Sequence, residues 1–521
     1  MVISASKKFH LLKGLPLAII LLSLVSSILA LRVWTRPPQS ERMIPAVTCS
    51  DPNSVMGPGR VFHVDPFRGT SDGDGSAARP WKDLQHLALA GKLGEYERIL
   101  SPVARAVAAI SHGPPTIRDV ERAGVIIRGG DTILLASGDY GAVDFSRLSN
   151  RTFVTISAAP GARVRFATLD LSGASHFVFR DIAVGNDIPL AGLRHLVTTY
   201  RSGPVRADNI VFDRIDIGWT KKVAATRPDR IRLHAPDGLR LGGDCLSVRN
   251  SKIHDIKSAV NIFRGRKIEL INNTIRDFSV DGIQFSGHEI VIRNNDIFDQ
   301  WATPDPLHPD CMQGQPPDEQ YNGPVTIEYN NCIREFVSDD SVGRREFGRF
   351  GWQGISIFDG RWRDVLVRCN VVMPAQQNAI VLFGVDGARI ENNTVIGLDT
   401  ELTSWIAAMP SKGGRQSTSV LISNNRSTGY LNAVTGGPKP REELIDYLGV
   451  KRADTSLMAM LRAPITGVTL RGNTWLYQSA KQDAILPDER FAWAGIPPTV
   501  PPQSPIEAIA RGMLPGTCDA V

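Results

Sequence analysis

The sequence predicts an all-β solenoid of stacked parallel coils, a parallel β-helix, and two observations predict it. From about residue 205 one pattern keeps returning: alternating apolar residues, a small polar residue, then an apolar residue two positions on. It reads IVFDRI (Asp213), VRNSKI (Ser251), LINNTI (Asn273), IRNNDI (Asn295), EYNNCI (Asn331), VRCNVV (Asn370), IENNTV (Asn393), ISNNRS (Asn425) and LRGNTW (Asn473). The bare step, as from Ser251 to Asn273 and from Asn273 to Asn295, is 22 residues, and longer steps are the same unit carrying an insertion. The second observation is the period-two alternation inside each unit, which specifies strand rather than helix.

A unit of that size cannot bury its own apolar face, but it suffices for one coil of three short strands, and stacked coils share a continuous core. Asn at a fixed register has a mechanical use: it tolerates a left-handed bend, and its amide can bond to the amide one rung away. A leucine-rich solenoid would need a dense Leu frame, which these repeats lack. Composition agrees with a globular chain: 42% of residues are hydrophobic, and 6 Cys among 521 residues are too few for a disulfide-dense scaffold. The formal net charge of +6 comes without the clustered Lys and Arg that a nucleic-acid groove requires, which argues against a nucleic-acid partner.

The elements follow in order. Lys7, Lys8 and Lys13 precede an uncharged apolar stretch from Gly14 to Leu31, closed by Arg32 and Arg36. That is a signal peptide or a membrane anchor, so residues 1–45 are assigned to it with its Pro-rich tether, and the remainder is expected to be exported. The destination is the periplasmic side of an inner membrane or the medium. Residues 46–200 are expected to form the N-terminal part of the solenoid, with a helical insertion over 86–128 suggested by its Ala/Leu spacing. Residues 201–480 carry the repeats, with a second helical insertion at Pro440–Arg462, and 481–521 form a Pro-rich tail. Cys332 and Cys369 adjoin ladder positions and read as rung packing; Cys49 and Cys518 lie outside the repeats and could bridge if the tails meet.

The segment HVDPFRGTSDGDGSAARPWKDLQ (His63–Gln85), with GGDTILLASGDYG (Gly129–Gly141) and VTISAAPGARVRF (Val154–Phe166), resembles the opening of proteins of the pectin-lyase-like superfamily. The resemblance spans roughly residues 60–480 and implies a right-handed parallel β-helix. It leaves the reaction open, because that superfamily holds lyases, glycosidases, epimerases, esterases and non-catalytic proteins.

Stacking places residues of equal register about 4.8 Å apart on consecutive rungs. Aligning GDCLSV (Gly243–Val248), SAVNIF, DGIQFS, DCMQGQ, QGISIF and NAIVLF gives a first column of Asp244, Ser258, Asp281, Asp310, Gln353 and Asn378. The second column holds Ser247, Asn261, Gln284, Gln313 and Ser356, then turns apolar at Val381. Asp281 and Asp310, one rung apart, repel unless they share a proton, a cation or a basic partner. The plain alternative is a polar ladder on a solvated face.

The segment DPLHPDCMQ adds His308, and its HxDxxQ strand is similar to one found in bacterial members of the same superfamily. His308 would act as base or acid, with Asp310 orienting it. Long steps on both sides of this strand supply loops to wall a groove; one of them brings Arg344, Arg345, Arg349 and Trp352, the last able to stack on a sugar ring. Arg264 and Arg266 stand at the neighbouring rung.

Three functions fit. One is β-elimination on an acidic polysaccharide, with His308 or an arginine as base and Asp244, Asp281 and Asp310 as ligands for Ca²⁺; the RxPxxR-type signature of pectate lyases is absent. Another is hydrolysis by two of Asp281, Asp310 and Asp339, although the aspartate cluster followed by Gly-His-Gly is missing. Epimerisation is a minor option, since Leu307 interrupts the Asp-Pro-His pattern. The third is a non-catalytic carbohydrate-binding or structural β-helix at the cell envelope. Asn261, Gln284, Gln313, Arg264, Arg345 and Trp352 are the expected substrate contacts.

Overall fold

The computed structural model describes residues 47–52, 59–100, 117–185, 194–200, 205–219, 235–300, 309–318, 320–333, 352–374, 376, 378–397, 404–411, 414–429, 467–476, 492–493 and 518. Residues 48–521 form one compact unit, and residues 1–47 another.

The repeat folds as the alternation requires. One coil runs along the strand Val260–Ile271, bends at Arg264 (φ 50°), turns at Asn272 (φ 57°) and continues as Thr274–Phe278. The first half of the long strand joins one parallel stack, its second half another, and Thr274–Phe278 a third; we call them sheets 1, 2 and 3. In sheet 1 the inward register runs Leu239, Val260, Ile283, Met312, Ile355, Ile380, Ile406. In sheet 2 it runs Ile210, Leu246, Ile268, Ile290, Val325, Val365. In sheet 3 it runs Ile217, Ile253, Ile275, Ile297, Cys332, Val372. These side chains form one continuous core. Each buried aliphatic chain contributes about 1.5–3 kcal/mol against exposure, which is how coils too small to fold singly become stable together.

The asparagine turn divides its work between two consecutive residues. The first takes the left-handed bend, as at Asn250, Asn272, Asn294, Asn392 and Asn424. The second is buried and bonds along the stack: Ser251, Asn273, Asn295, Asn330, Asn370, Asn393, Asn425 and Asn473 each accept from, or donate to, the next rung. Two sequence positions are corrected. The ladder residue is Asn330, not Asn331, whose Nδ2 instead donates to Asp296 at 2.7 Å. Asp213 is outside the ladder; Ile215 occupies that register, with its N–H on Ser251 Oγ, while Asp213 pairs with Arg180, Arg214 and Arg249.

The expected helical insertion over 86–128 is also corrected where its residues are described, 101–116 lying outside them. Its one described helix, Leu84–Leu89, is capped by Asp83; beyond it Tyr96–Leu100 and Ile117–Glu121 form an antiparallel hairpin. The hairpin adds to the open edge of Leu148–Ala158 through Tyr96 and Glu97, and an available sheet edge outweighs weak helical spacing. The segments 14–31 and 440–462 lie outside the described residues. Among the described residues no helix is long and apolar enough to cross a membrane.

All six cysteines are paired, as Cys49–Cys245, Cys311–Cys332 and Cys369–Cys518. The tails therefore do not bridge to each other through Cys49 and Cys518; each is fastened to the coil instead.

Candidate functional site

The outward face of sheet 1 carries the candidate groove. Its second column holds Asn261, Gln284, Gln313 and Ser356 in register, as the repeat implies, with Val381 following. Asn261 Nδ2 donates to Gln284 Oε1. Gln284 Nε2 in turn donates to Gln313 Oε1 at 2.9 Å and Gln315 Oε1 at 3.2 Å. Gln313 Nε2 closes the chain on Asp310 Oδ2 at 3.0 Å.

The first column runs through Ser258, Asp281, Asp310, Gln353 and Asn378 by backbone bonds between successive rungs and by register. Asp310 N donates to Asp281 Oδ1 at 3.0 Å, so the two aspartates are stacked as the sequence implies. They lie beneath the groove floor: Asp310 is 0% and Asp281 8% exposed. Burial pushes the Asp281 carboxyl up to about 6, with the charge of Asp237 adding to the rise and the Asp310 N–H opposing it. Asp310 is raised well above the carboxylate range, by burial first and by Asp281 second. Among the described residues its Oδ1 has no hydrogen-bond partner. Burial and mutual repulsion both favour keeping a proton on this enclosed pair over ionising both carboxyls.

Asp244 and Ser247 do not belong to these columns. Asp244 pairs in register with Asp208 and Arg266, and Ser247 with Val211 and Glu269, all in sheet 2. The Asp244 carboxylate is taken by Arg206 at 3.0 Å and by Arg266. The three-aspartate set expected to ligate Ca²⁺ is thus not brought together, and among the described residues no group of three His, Cys, Asp or Glu side chains is placed to hold a metal ion. The segment that continues sheet 1 is Asp237–Leu241, where Arg240 aligns with Asn261 and His195 with Asp237. A fixed offset would have found it: Gln284 stands eleven residues before Asn295, and the same count back from Ser251 lands on Arg240.

Arg240, His195 and their neighbours form the most chemically varied part of the groove. The rings of Tyr200 and Phe263 lie 5.1 Å apart, and the Arg240 guanidinium sits 5.3 Å and 5.7 Å from them. Arg240 Nη1 donates to His195 Nε2 at 3.4 Å, while His195 Nδ1 faces Asp237 Oδ2 at 3.4 Å. Burial, with the charges of Arg240 and Arg194, pushes the imidazole down to about 4, and burial raises Asp237. His195, Arg240, Asn261, Phe263, Gln284 and Pro316 line a cavity of about 550 Å³.

Of the other expected contacts, Arg264 lies over Phe263 at 5.6 Å and is paired with Asp318. Trp352 is a correction: it is fully buried and packs edge-on against Phe278 at 6.2 Å, so it belongs to the core and is not a sugar platform. Tyr200 and Phe263 supply half-buried rings on this face. His308, Asp339 and Arg345 lie outside the described residues.

The family described as right handed beta helix region matches residues 237–427, which include the groove's amide column and Arg240 but not His195 or Tyr200. No curated protein matches the chain. Among solved structures it is similar to the pectate lyase Pel9A at 14% identity, over 74% of this chain and 82% of that one, with a TM-score of 0.33. It is similar to XylC in complex with xylose at 12% identity, over 84% and 86%, with a TM-score of 0.39. It is similar to the A-module of the Azotobacter vinelandii mannuronan C-5 epimerase AlgE6 at 13% identity, over 72% and 92%, with a TM-score of 0.37.

Proposed function

We propose that the chain binds an acidic polysaccharide along the outer face of sheet 1 and cleaves it by β-elimination. The observation that carries this reading is Arg240, which touches the Tyr200–Phe263 pair and His195 at once. Aromatic faces suit the apolar faces of sugar rings, and a guanidinium suits a uronate carboxylate. The amide column of Asn261, Gln284 and Gln313 then meets sugar hydroxyls at rung spacing.

Elimination needs the uronate carboxylate neutralised and the proton on the neighbouring carbon removed. Arginine can only donate, so His195 Nε2 accepts from Arg240 in the free protein and its lone pair is masked. A uronate carboxylate competing for Arg240 frees that lone pair and offsets the Arg240 charge, which adds to burial in depressing the imidazole. His195 then takes the proton, the electron pair forms the new carbon–carbon double bond, and the glycosidic oxygen leaves. His308, two residues ahead of Asp310 in the sequence, is the second proton carrier in this reading. Asp310 acts through Gln313 as a positioning residue. Hydrolysis fits less well, because carboxyls that flank a scissile bond must face each other across it, whereas Asp281 and Asp310 share one side.

A second reading, binding without catalysis, is favoured by the enclosure of Asp281 and Asp310. Incubating residues 39–521 with acidic and neutral polysaccharides, with and without Ca²⁺, separates the two. Unsaturated ends and reducing ends rising together support elimination; reducing ends alone favour hydrolysis; binding with neither signal favours the second reading. A Ca²⁺ requirement would assign the carboxylate's second neutralising charge to the cation. The pairing of every cysteine supports an exported chain, held at the membrane by its apolar N-terminal stretch or released.

A further inference from the structure

We propose that Ser50, His176, Ser175 and Asp208 form a second catalytic site, a serine acyl-hydrolase centre on the outer face of sheet 2 that acts on esters. It lies on a different face from the groove of sheet 1 and is independent of the polysaccharide reading.

The segment 47–52 crosses the outside of sheet 2. The Cys49–Cys245 disulfide fixes it, and Ser50 N donates to Asn209 Oδ1 at 2.8 Å. This sets the exposed Ser50 Oγ 3.0 Å from His176 Nε2. The other ring nitrogen, Nδ1, is 2.7 Å from Ser175 Oγ, and Ser175 Oγ donates to Asp208 Oδ1. Asp208 also accepts from Arg98 Nη1 at 2.7 Å and Asn209 Nδ2 at 3.1 Å, the acceptor-only role of a carboxylate.

Counting protons fixes the direction of the relay. Ser175 has one hydroxyl proton and gives it to Asp208, so toward His176 it can only accept. Nδ1 must then carry the imidazole proton, which leaves a bare lone pair on Nε2. That lone pair can only accept from Ser50. A nucleophilic hydroxyl thus points its proton at a base whose tautomer is set by a third group that a carboxylate orients. Burial keeps the imidazole below its ordinary value, with Arg98 acting in the same direction and Asp208, Asp119 and Glu95 against it. The edge of Phe153 closes the ring's flank at 5.3 Å.

The reaction balances without a further reagent. Ser50 Oγ bonds to the ester carbonyl carbon as its proton passes to Nε2 and the carbonyl π pair moves onto oxygen. Collapse breaks the bond to the alcohol, which leaves with the proton from Nε2. Water then repeats the sequence on the acylated Ser50, releasing the acid. The neighbouring cavity, about 560 Å³, begins at Ser50 and is lined by Phe153, Val211, Val291 and Pro324 on one part and by Arg249, Lys267, Glu269 and Glu289 on another, which suits a short ester carrying polar groups.

The test uses the full chain with its disulfides intact, a fluorophosphonate probe with peptide mapping, and p-nitrophenyl butyrate. Modification at Ser50 is expected, with hydrolysis falling about 100-fold in Ser50→Ala and His176→Gln. Ser175→Ala, which keeps hydroxyl and imidazole but cuts the link to Asp208, should lower the rate and move the pH profile. Because Ser50 is exposed, Ser50→Ala keeps the test open if His176→Gln fails to fold. Modification of Ser50 no faster than of the exposed Ser76, or hydrolysis undiminished in Ser50→Ala, would overturn the proposal.

Discussion

Gln313 Nε2 donates to Asp310 Oδ2 at 3.0 Å, so a column of half-buried amides ends on a carboxyl that solvent does not reach. The orientation of each amide therefore depends on the charge held below it. When Asp310 is protonated on Oδ1, Oδ2 still accepts from Gln313, but the bond loses its charge assistance.

Stability should record that burial. A carboxyl whose folded value is raised favours the fold fully below its unfolded value and less as pH rises through the folded one. For Asp281, raised to about 6, the loss falls between about pH 4 and 6, and Asp310 extends it upward. Asp310→Asn should flatten the fall in melting temperature between pH 5 and pH 8, measured calorimetrically. An unchanged slope would show that the pair does not titrate in this range.

The ladder correction gives a sharp pair of variants. Asn330→Ala strands Asn295 N–H and takes one donor each from the carbonyls of Ile292 and Glu328, which should cost about 1–3 kcal/mol in denaturant unfolding. Asn331→Ala removes one exposed bond to Asp296 and should change stability by less than about 0.5 kcal/mol. Equal effects would contradict the register.

Peptide mapping without reduction should recover Cys49 with Cys245 and Cys369 with Cys518. A Cys49–Cys518 peptide would contradict the fastening of each tail to the coil.

Arg240 is expected to distinguish acidic from neutral polymers. Arg240→Ala should weaken binding of a uronate polymer about tenfold or more, as loss of a charged hydrogen bond does, and leave neutral polymers much less affected. Arg240→Lys should restore little, because an ammonium cannot reproduce a planar group set over a pair of rings. The readout is the affinity ratio at two salt concentrations.

The fold was legible because its period is short and its core simple. Asn261, Gln284 and Gln313 fell into one column wherever the repeat stepped cleanly. Asp244 was misplaced because the two legs of one coil share the same alternation, and only the offset from Ser251 tells them apart. Trp352 follows a polar loop in sequence yet packs on Phe278, since chain neighbourhood does not report which way a rung faces. The hairpin at Tyr96–Leu100 depended on a free sheet edge that spacing cannot reveal. His195 and Tyr200 sit in an irregular stretch without the repeat, and Ser50 meets His176 across 126 residues only because a disulfide ties the segment down.

The most direct test of the groove is the ultraviolet absorbance of unsaturated ends formed from a uronate polymer by the wild-type chain and by His195→Gln, followed across pH. The account predicts steady formation by wild type and a loss of about 100-fold in the variant, with binding retained. Full activity in His195→Gln, or reducing ends without unsaturation, would contradict it.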